Sequence, residues 1–261
     1  MILFHKYHGT GNDFVIIDDR EESFDINNNE LVAQMCNRRF GIGADGLILL
    51  RNHDHYDFQM VYFNADGNES SMCGNGGRCI VAFAYKLGLF KESCTFMAID
   101  GLHEASINDG EVKLQMKDVD AISLLDKDYV MNTGSPHYVK FVDDAFAVDV
   151  DVEGAKIRYN DTYMQEGINV NFVSLSKEGI NVTTYERGVE AETYSCGTGV
   201  TACAIAFAAS QNEGLSSVSI TTKGGKLKVY INYNGQRATE VYLEGGTTFV
   251  YQGSYVPNVF I

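Results

Sequence analysis

The chain has 261 residues, 45% of them hydrophobic, with a formal charge of -15 at pH 7 and no Trp. So acidic a balance argues against nucleic acid or an anionic membrane surface as partner, because both are met by clustered Lys and Arg. No stretch approaches the ~20 apolar residues of a membrane span, and Met1-Ile2-Leu3-Phe4-His5-Lys6 is too short an apolar run for an export signal. The expected location is the cytoplasm, where cysteines stay reduced.

In chain order, residues 2–7 and 13–18 read as strands around the turn His8-Gly9-Thr10-Gly11-Asn12. Glu30 to Arg39 has helical spacing and stops at Phe40-Gly41-Ile42-Gly43, where glycine accepts a left-handed cap. Leu47-Ile48-Leu49-Leu50 is a continuous apolar run suited to a buried strand, and Tyr56 to Phe63 a second strand ending at the turn Asn64-Ala65-Asp66-Gly67-Asn68. After an apolar helical run from Ile80 to Leu89, the segments Cys94–Ile99, Leu102–Ile107 and Val112–Met116 predict a meander with turns at Asp100-Gly101 and Asp109-Gly110. A second half opens near Lys117 in acidic, less regular sequence. It continues with strands at Tyr129–Thr133, Tyr138–Val142, Asn169–Val173 and Ile180–Tyr185, then a helical run from Ala204, then strands over Ser217–Thr222, Lys226–Tyr233, Ala238–Leu243 and Thr247–Tyr251.

One motif occurs in both halves. Cys73-Gly74-Asn75-Gly76 precedes the first apolar helix, and Cys196-Gly197-Thr198-Gly199 precedes the second. Each puts a thiol where the first N–H groups of a helix have no partner inside it, a place that favours thiolate and binds carboxylate. A lone cysteine in such a turn is most often a small buried residue. Its duplication is what points to a shared site. Neither copy has the CxxC spacing of a zinc site, and a reducing compartment disfavours a disulfide. We therefore expect no metal.

Two thiols facing one another over a cleft between the halves suit a carbon acid. One, as thiolate, removes a proton from one face of a tetrahedral carbon; the other, as thiol, delivers a proton to the opposite face. The centre inverts, while N–H groups of Gly74, Asn75, Gly197 and Thr198 hold the adjacent carboxylate and the charge developing on it. An α-hydrogen is barely acidic, so the site has to be dry and preorganised. Paired thiols make pyridoxal phosphate unnecessary as an electron sink.

Six stretches carry a resemblance that runs nearly end to end: Lys6-Tyr7-His8-Gly9-Thr10-Gly11-Asn12-Asp13-Phe14, Gly41-Ile42-Gly43-Ala44-Asp45-Gly46, Phe63-Asn64-Ala65-Asp66-Gly67, the two cysteine motifs, and Tyr185-Glu186-Arg187-Gly188. In this order they resemble the diaminopimelate epimerase family. The cysteine motifs alone reach only a wider group that includes proline racemases and hydroxyproline epimerases.

The resemblance implies an α+β fold of two pseudo-symmetric halves, each a curved, mostly antiparallel or mixed sheet around a central helix, here 80–88 and 199–212. The halves would be 1–117, completed by 251–261, and 118–250. It further implies a cofactor-independent exchange of LL- and meso-2,6-diaminoheptanedioate by a homodimer, with Cys73 and Cys196 as the acid–base pair. By similarity Asn12, Asn64, Gly74, Asn75, Asn169, Glu186, Arg187, Gly197 and Thr198 bind substrate, and His137 and Glu186 adjust the thiol pKa values, an imidazolium favouring thiolate and a carboxylate disfavouring it. Arg187 suits a distal carboxylate and Glu186 a distal ammonium. Gly46 stands where some members carry Gln, and Ser135 where many carry Asn, which bears on contacts at the distal end of the substrate. Cys36, Cys79, Cys94 and Cys203 are expected to pack. Two other readings stay open: a relative acting on proline or histidine, and a binding protein that captures an amino acid without chemistry.

Overall fold

Alternation of apolar and polar residues at strand spacing runs through most of the chain. The computed structural model, which describes residues 1–70, 72–211 and 216–257, resolves it into two units. Met1–Leu114, joined by the end of the chain from Gly246, form one; Gln115–Gly245 form the other.

In the first unit β1 (Ile2–Gly9) and β2 (Asn12–Asp18) make a hairpin, and α1 (Asn29–Cys36) follows. Strand β3 (Gly46–Arg51) lies parallel to β2, and β4 (Phe58–Asn64) lies antiparallel to β3. After α2 (Gly74–Lys86), β5 (Ser93–Ala98) pairs parallel to β4, and β6 (Gly101–Asn108) and β7 (Glu111–Gln115) continue antiparallel. Period-two alternation sorts the strands' side chains by face. Val15, Ile17, Leu47, Leu49, Val61 and Phe63 join Val32, Met35 and Cys36 of α1 in one apolar cluster. Phe14 and Ile48 face α2 instead, 3.4 and 3.2 Å from where a Cβ on Gly76 would stand.

The second unit repeats that order. Strands β8 (Ile122–Leu125), β9 (Asp128–Asn132) and β10 (Pro136–Phe141) are antiparallel neighbours. Beyond α3 (Val150–Arg158), β11 (Asn169–Leu175) runs parallel to β10, and β12 (Ile180–Glu186) antiparallel to β11. The short β13 (Ala191–Thr193) returns along β12 and leads to α4 (Gly197–Gln211). Strand β14 (Ser217–Thr222) then pairs parallel to β12, and β15 (Gly225–Tyr233) and β16 (Ala238–Gly246) close the run antiparallel. Here Val170 and Phe172 pack with Val150 of α3. Finally β17 (Thr248–Tyr255) pairs antiparallel with β1 of the first unit. The architecture is the expected α+β fold. The last residues of the expected crossing segment, 258–261, and residue 212 of the expected second helix lie outside the described residues.

Three local differences from the sequence reading have physical causes. Helix α1 ends at Cys36 rather than Arg39, because the Asn37 side chain accepts the N–H groups of Arg39 and Phe40, both at 2.9 Å, in place of helical carbonyls. Helix α2 begins at Gly74, so the glycines form its first turn instead of a loop before it. Their poor intrinsic propensity is offset by close burial: a Cβ on Gly77 would lie 2.8 Å from Leu114 and 3.1 Å from Met72. Helix α3 does not show in the sequence pattern, because Gly154 interrupts it.

That glycine is there for space, since a Cβ would stand 2.4 Å from that of Tyr185 in β12. In an open helix Gly→Ala stabilises by about 0.5–1 kcal/mol; against Tyr185 it overpacks, at a cost of roughly 1–3 kcal/mol. Gly154→Ala should thus lower the urea midpoint. A midpoint that rises would show that α3 does not bear on β12. Among the described residues, no helix is long and apolar enough to cross a membrane.

Candidate active site

In the first unit Cys73 is the N-cap of α2, with extended backbone (φ -95, ψ 126) and no capping bond from its side chain. Its sulfur therefore remains available for other contacts, and Sγ donates to Asn12 Oδ1 at 3.5 Å. Asn12 opens β2; Phe14 of that strand pairs with Gly46 of β3, which pairs in turn with Asn64 at the end of β4. One end of three neighbouring strands thus supplies Asn12, Gly46 and Asn64. Gly74 and Asn75 are the first, buried residues of α2.

A polar chain lies behind the thiol. Asn75 Nδ2 donates to Asn12 Oδ1 (3.2 Å), and Asn12 Nδ2 donates to Asp45 Oδ2 (2.7 Å). Arg38 bridges Asp45 (2.6 Å) and Asp13 (2.7 Å), and Lys6 pairs with Asp13 at 2.7 Å. Burial of Asp13 works against its charge, yet hydrogen bonds from Arg38 and Lys6 hold its carboxyl well below the usual range. On the other side Arg78, fully buried, donates to Asn75 Oδ1 (3.0 Å) and Thr10 Oγ1 (3.3 Å), while its Nε and Nη1 have no hydrogen-bond partner among the described residues. Glycine at position 9 makes room for it, since a Cβ there would lie 3.2 Å from Arg78 Nη2. The space beside Gly46 is filled by Tyr62, whose ring would be 2.6 Å from a Cβ at that position.

In the second unit Cys196 precedes Gly197 of α4 and is 7% exposed. Thr198 Oγ1 lies 3.5 Å from Cys196 Sγ and 2.9 Å from His137 Nε2, and its carbonyl accepts the Thr133 hydroxyl at 2.9 Å. His137 Nδ1 is 3.1 Å from Asn171 Nδ2, which also donates to the Tyr138 carbonyl (3.0 Å), while Asn171 Oδ1 accepts from the Thr184 hydroxyl (3.0 Å). Asn169, two residues earlier on β11, donates to Ser135 Oγ and the Pro136 carbonyl, both 2.9 Å, and accepts the Arg187 N–H at 2.9 Å. The Arg187 guanidinium reaches Ser135 Oγ (3.3 Å) and the Glu166 carbonyl (3.1 Å); Glu186 accepts from the Thr193 hydroxyl at 2.8 Å. Ser135, the substituted position, is thus tied to both Asn169 and Arg187.

The family resemblance invoked an imidazolium at His137, and the burial of this side chain bears on that. It is wholly buried; desolvation, helped by the positive charge of Arg187, pushes its pKa down to about 3, and so it is neutral at pH 7. Any influence on the neighbouring thiol passes through hydrogen bonds, not net charge. Because the unfolded chain binds this proton near 6.5 and the folded chain does not until about 3, the contribution of His137 to stability is lost progressively as pH falls through that window. Replacing it, as in His137→Gln, should flatten the fall of the urea midpoint between pH 6.5 and 4. Parallel curves for wild type and variant would contradict the buried neutral ring.

The cysteines assigned to packing are buried, and burial pushes the Cys36 and Cys94 thiols up to about 12 and raises those of Cys79 and Cys203 as well. Asp45, Arg78 and Asn171 were not singled out in the sequence. The available signals were an Arg amid apolar helix residues and a second Asn on the same face of a strand as Asn169. Among the described residues, no group of three or more His, Cys, Asp or Glu side chains gathers as a metal site.

Comparison with solved structures shows where the fold recurs. The fold is shared with a PhzF-family phenazine biosynthesis protein of Bacillus anthracis (TM-score 0.75, 14% identity, 98% of this chain and 99% of that one). It is shared too with a probable proline racemase of Agrobacterium radiobacter (TM-score 0.70, 15% identity, 100% and 94%). Sequence comparison goes further: the diaminopimelate epimerase family model matches residues 4–122 and 129–250. The diaminopimelate epimerase of Flavobacterium psychrophilum is 52% identical over 250 residues, covering 95% of this chain and 98% of its own, and that of Aquifex aeolicus is 39% identical over 273 residues, covering 96% of each. The chain belongs to the diaminopimelate epimerase family.

Proposed function

We propose that the chain interconverts LL- and meso-2,6-diaminoheptanedioate without a cofactor, with Cys73 and Cys196 exchanging protons on opposite faces of one α-carbon. The observation that carries this reading is that both motif thiols stand at the start of a buried helix, each with an ordered polar chain behind it, in a member of this family. The helix N–H groups of Gly74, Asn75, Gly197 and Thr198 take the reacting carboxylate, and their dipoles stabilise the enolate-like charge on it. Asn12, Asn64 and Asn169 orient the substrate. Arg187 takes the distal carboxylate and Glu186 the distal ammonium, which makes a dicarboxylic diamine the fitting substrate. Glu186 and His137 tune the thiols. On this reading the enzyme works in the cytoplasm as a homodimer on a free small molecule.

The test is incubation of the reduced protein with LL-2,6-diaminoheptanedioate and chromatographic resolution of the stereoisomers, beside proline and histidine as alternative substrates. The meso form should accumulate to equilibrium from the diaminoheptanedioate, with no α-inversion of the other two. Inversion of proline or histidine, or tight capture of the diamine without inversion, would replace this reading.

A further inference from the structure

We infer that the first unit carries a second binding site, for the zwitterion of a free amino acid with an apolar side chain. It is the cleft lined by Tyr7 of β1, Lys86 of α2, Asp109 in the β6–β7 turn and Phe249 of β17. The cleft lies apart from the thiol motif, since Cys73 caps the start of α2 and Lys86 ends it, about 20 Å further along the axis. It is independent of the acid–base reading above.

Tyr7 is the residue that calls for a ligand. It is 3% exposed, its ring set edge-on to Phe83 (centroids 6.0 Å) and tilted against Phe249 (5.3 Å). A buried phenol ordinarily finds a hydrogen-bond partner, yet among the described residues the Tyr7 hydroxyl has none. Nor is it sealed off, as the unpaired ring nitrogen of His5 and the unpaired Nε of Arg78 are; the space it opens to is the cleft. Burial pushes its pKa up to about 12, so at neutral pH it is an unused O–H donor. Phenylalanine would fill the same volume, and packing alone therefore does not account for the hydroxyl.

Two opposite charges stand beside it. Lys86 Nζ is 3.6 Å from the centroid of the Phe249 ring, a cation–π contact that leaves its hydrogens without a carboxylate. Among the described residues neither Lys86 nor Asp109 makes an ion pair, with each other or with any third group. A lysine in the last turn complements the helix dipole, which explains Lys86 but not the free hydroxyl and carboxylate around the same space. Ala82 and Ile107 complete the wall with apolar surface. The cleft holds about 270 Å³, nearly twice the ~150 Å³ apolar cavity that takes up benzene. That is room for an aromatic side chain together with an amino-acid head group.

These groups select among ligands. A carboxylate received by Lys86 and the Tyr7 O–H leaves Asp109 to accept an ammonium. A simple carboxylic acid is repelled by Asp109 and a simple amine by Lys86, while a neutral apolar molecule strips water from both charges and replaces none of it. A diamino diacid brings a second pair of charges against Ala82 and Ile107. One ammonium, one carboxylate and one apolar side chain satisfy every wall.

The experiment titrates the reduced, isotope-labelled protein with L-phenylalanine and follows its backbone amide signals by NMR. Two analogues are run beside it: 3-phenylpropionate, which lacks the ammonium, and phenethylamine, which lacks the carboxylate. L-phenylalanine should saturate, with shifts centred on Ala82, Lys86 and the Asp109-Gly110 turn, and each analogue should bind about tenfold more weakly or worse, the scale of one lost charge-assisted hydrogen bond. Tyr7→Phe should cost a similar factor at an unchanged unfolding midpoint, because the hydroxyl it removes bonds to nothing in the protein. Asp109→Asn, which keeps a residue suited to positive φ, should weaken L-phenylalanine and strengthen 3-phenylpropionate, a gain that misfolding cannot produce. No saturation by L-phenylalanine, shifts centred on Gly74 or Gly197 instead, 3-phenylpropionate binding as tightly as the amino acid, or a Tyr7→Phe protein of unchanged affinity would each overturn the inference. Epimerisation enters none of these readouts, so the proposed activity stands or falls separately.

Discussion

Replacing Cys73 or Cys196 by alanine is expected to abolish epimerisation by either single change, with losses of about 10²–10⁴-fold or more, the range a positioned acid or base contributes. On the proposed mechanism a proton is taken from one face and given to the other, so each sulfur would be required in both reaction directions. The double variant should be scarcely worse than either single one, because groups that act as a unit do not contribute additively. Folding should survive. Cys73 makes no capping bond to α2, and the change at Cys196 removes one sulfur atom beside Gly199 together with its contact to Thr198. Turnover of LL-2,6-diaminoheptanedioate retained in either purified variant would remove the two-thiol chemistry.

Gly199→Ala is expected to be nearly as damaging, although it changes no reacting group. A Cβ at position 199 would stand 2.5 Å from Asn171 Oδ1, 3.2 Å from Cys196 Cβ and 3.4 Å from its sulfur. The oxygen belongs to a side chain held at both ends by Thr184 and the Tyr138 carbonyl, so it cannot retreat without breaking the chain that runs through His137 and Thr198 to the thiol. The added methyl helps the helix itself by about 1 kcal/mol. We therefore expect kcat to fall roughly 10²-fold, the scale of a misplaced catalytic group, at little change in unfolding midpoint. A variant with wild-type kcat would show that the Asn171 chain does not position Cys196.

Most of the fold was legible because period-two alternation and glycine-rich turns are local signals. Asp109-Gly110 is a fair instance: both residues take positive φ (49 and 84), as a tight hairpin of this type requires. What stayed hidden depends on partners distant in sequence. Gly154 reads as a helix breaker until Tyr185 is seen against it, and the glycines after Cys73 read as a loop until Phe14, Ile48 and Leu114 are found packed on them. At the site, the thiols and the residues nearest them were marked by the repeated motif. The groups that orient them were not: Asp45 acts through Asn12, Arg78 through Asn75, and Asn171 through His137. Each looks ordinary in sequence, because a hydrogen-bond direction is set by whole chains of partners. His137 shows the same limit, since its charge state follows from its complete burial, which no local pattern displays.

The most direct measurement is early-time epimerisation of LL-2,6-diaminoheptanedioate in D₂O, with isotope content read in product and in recovered substrate. A thiol exchanges its hydrogen with solvent, and the sulfur that delivers is not the one that abstracts. Product should therefore carry one solvent deuteron at the inverted carbon from the first turnovers, while recovered substrate remains protiated. Deuterium entering substrate as fast as product, or product formed with its original hydrogen retained, would contradict two thiols working on opposite faces of one carbon.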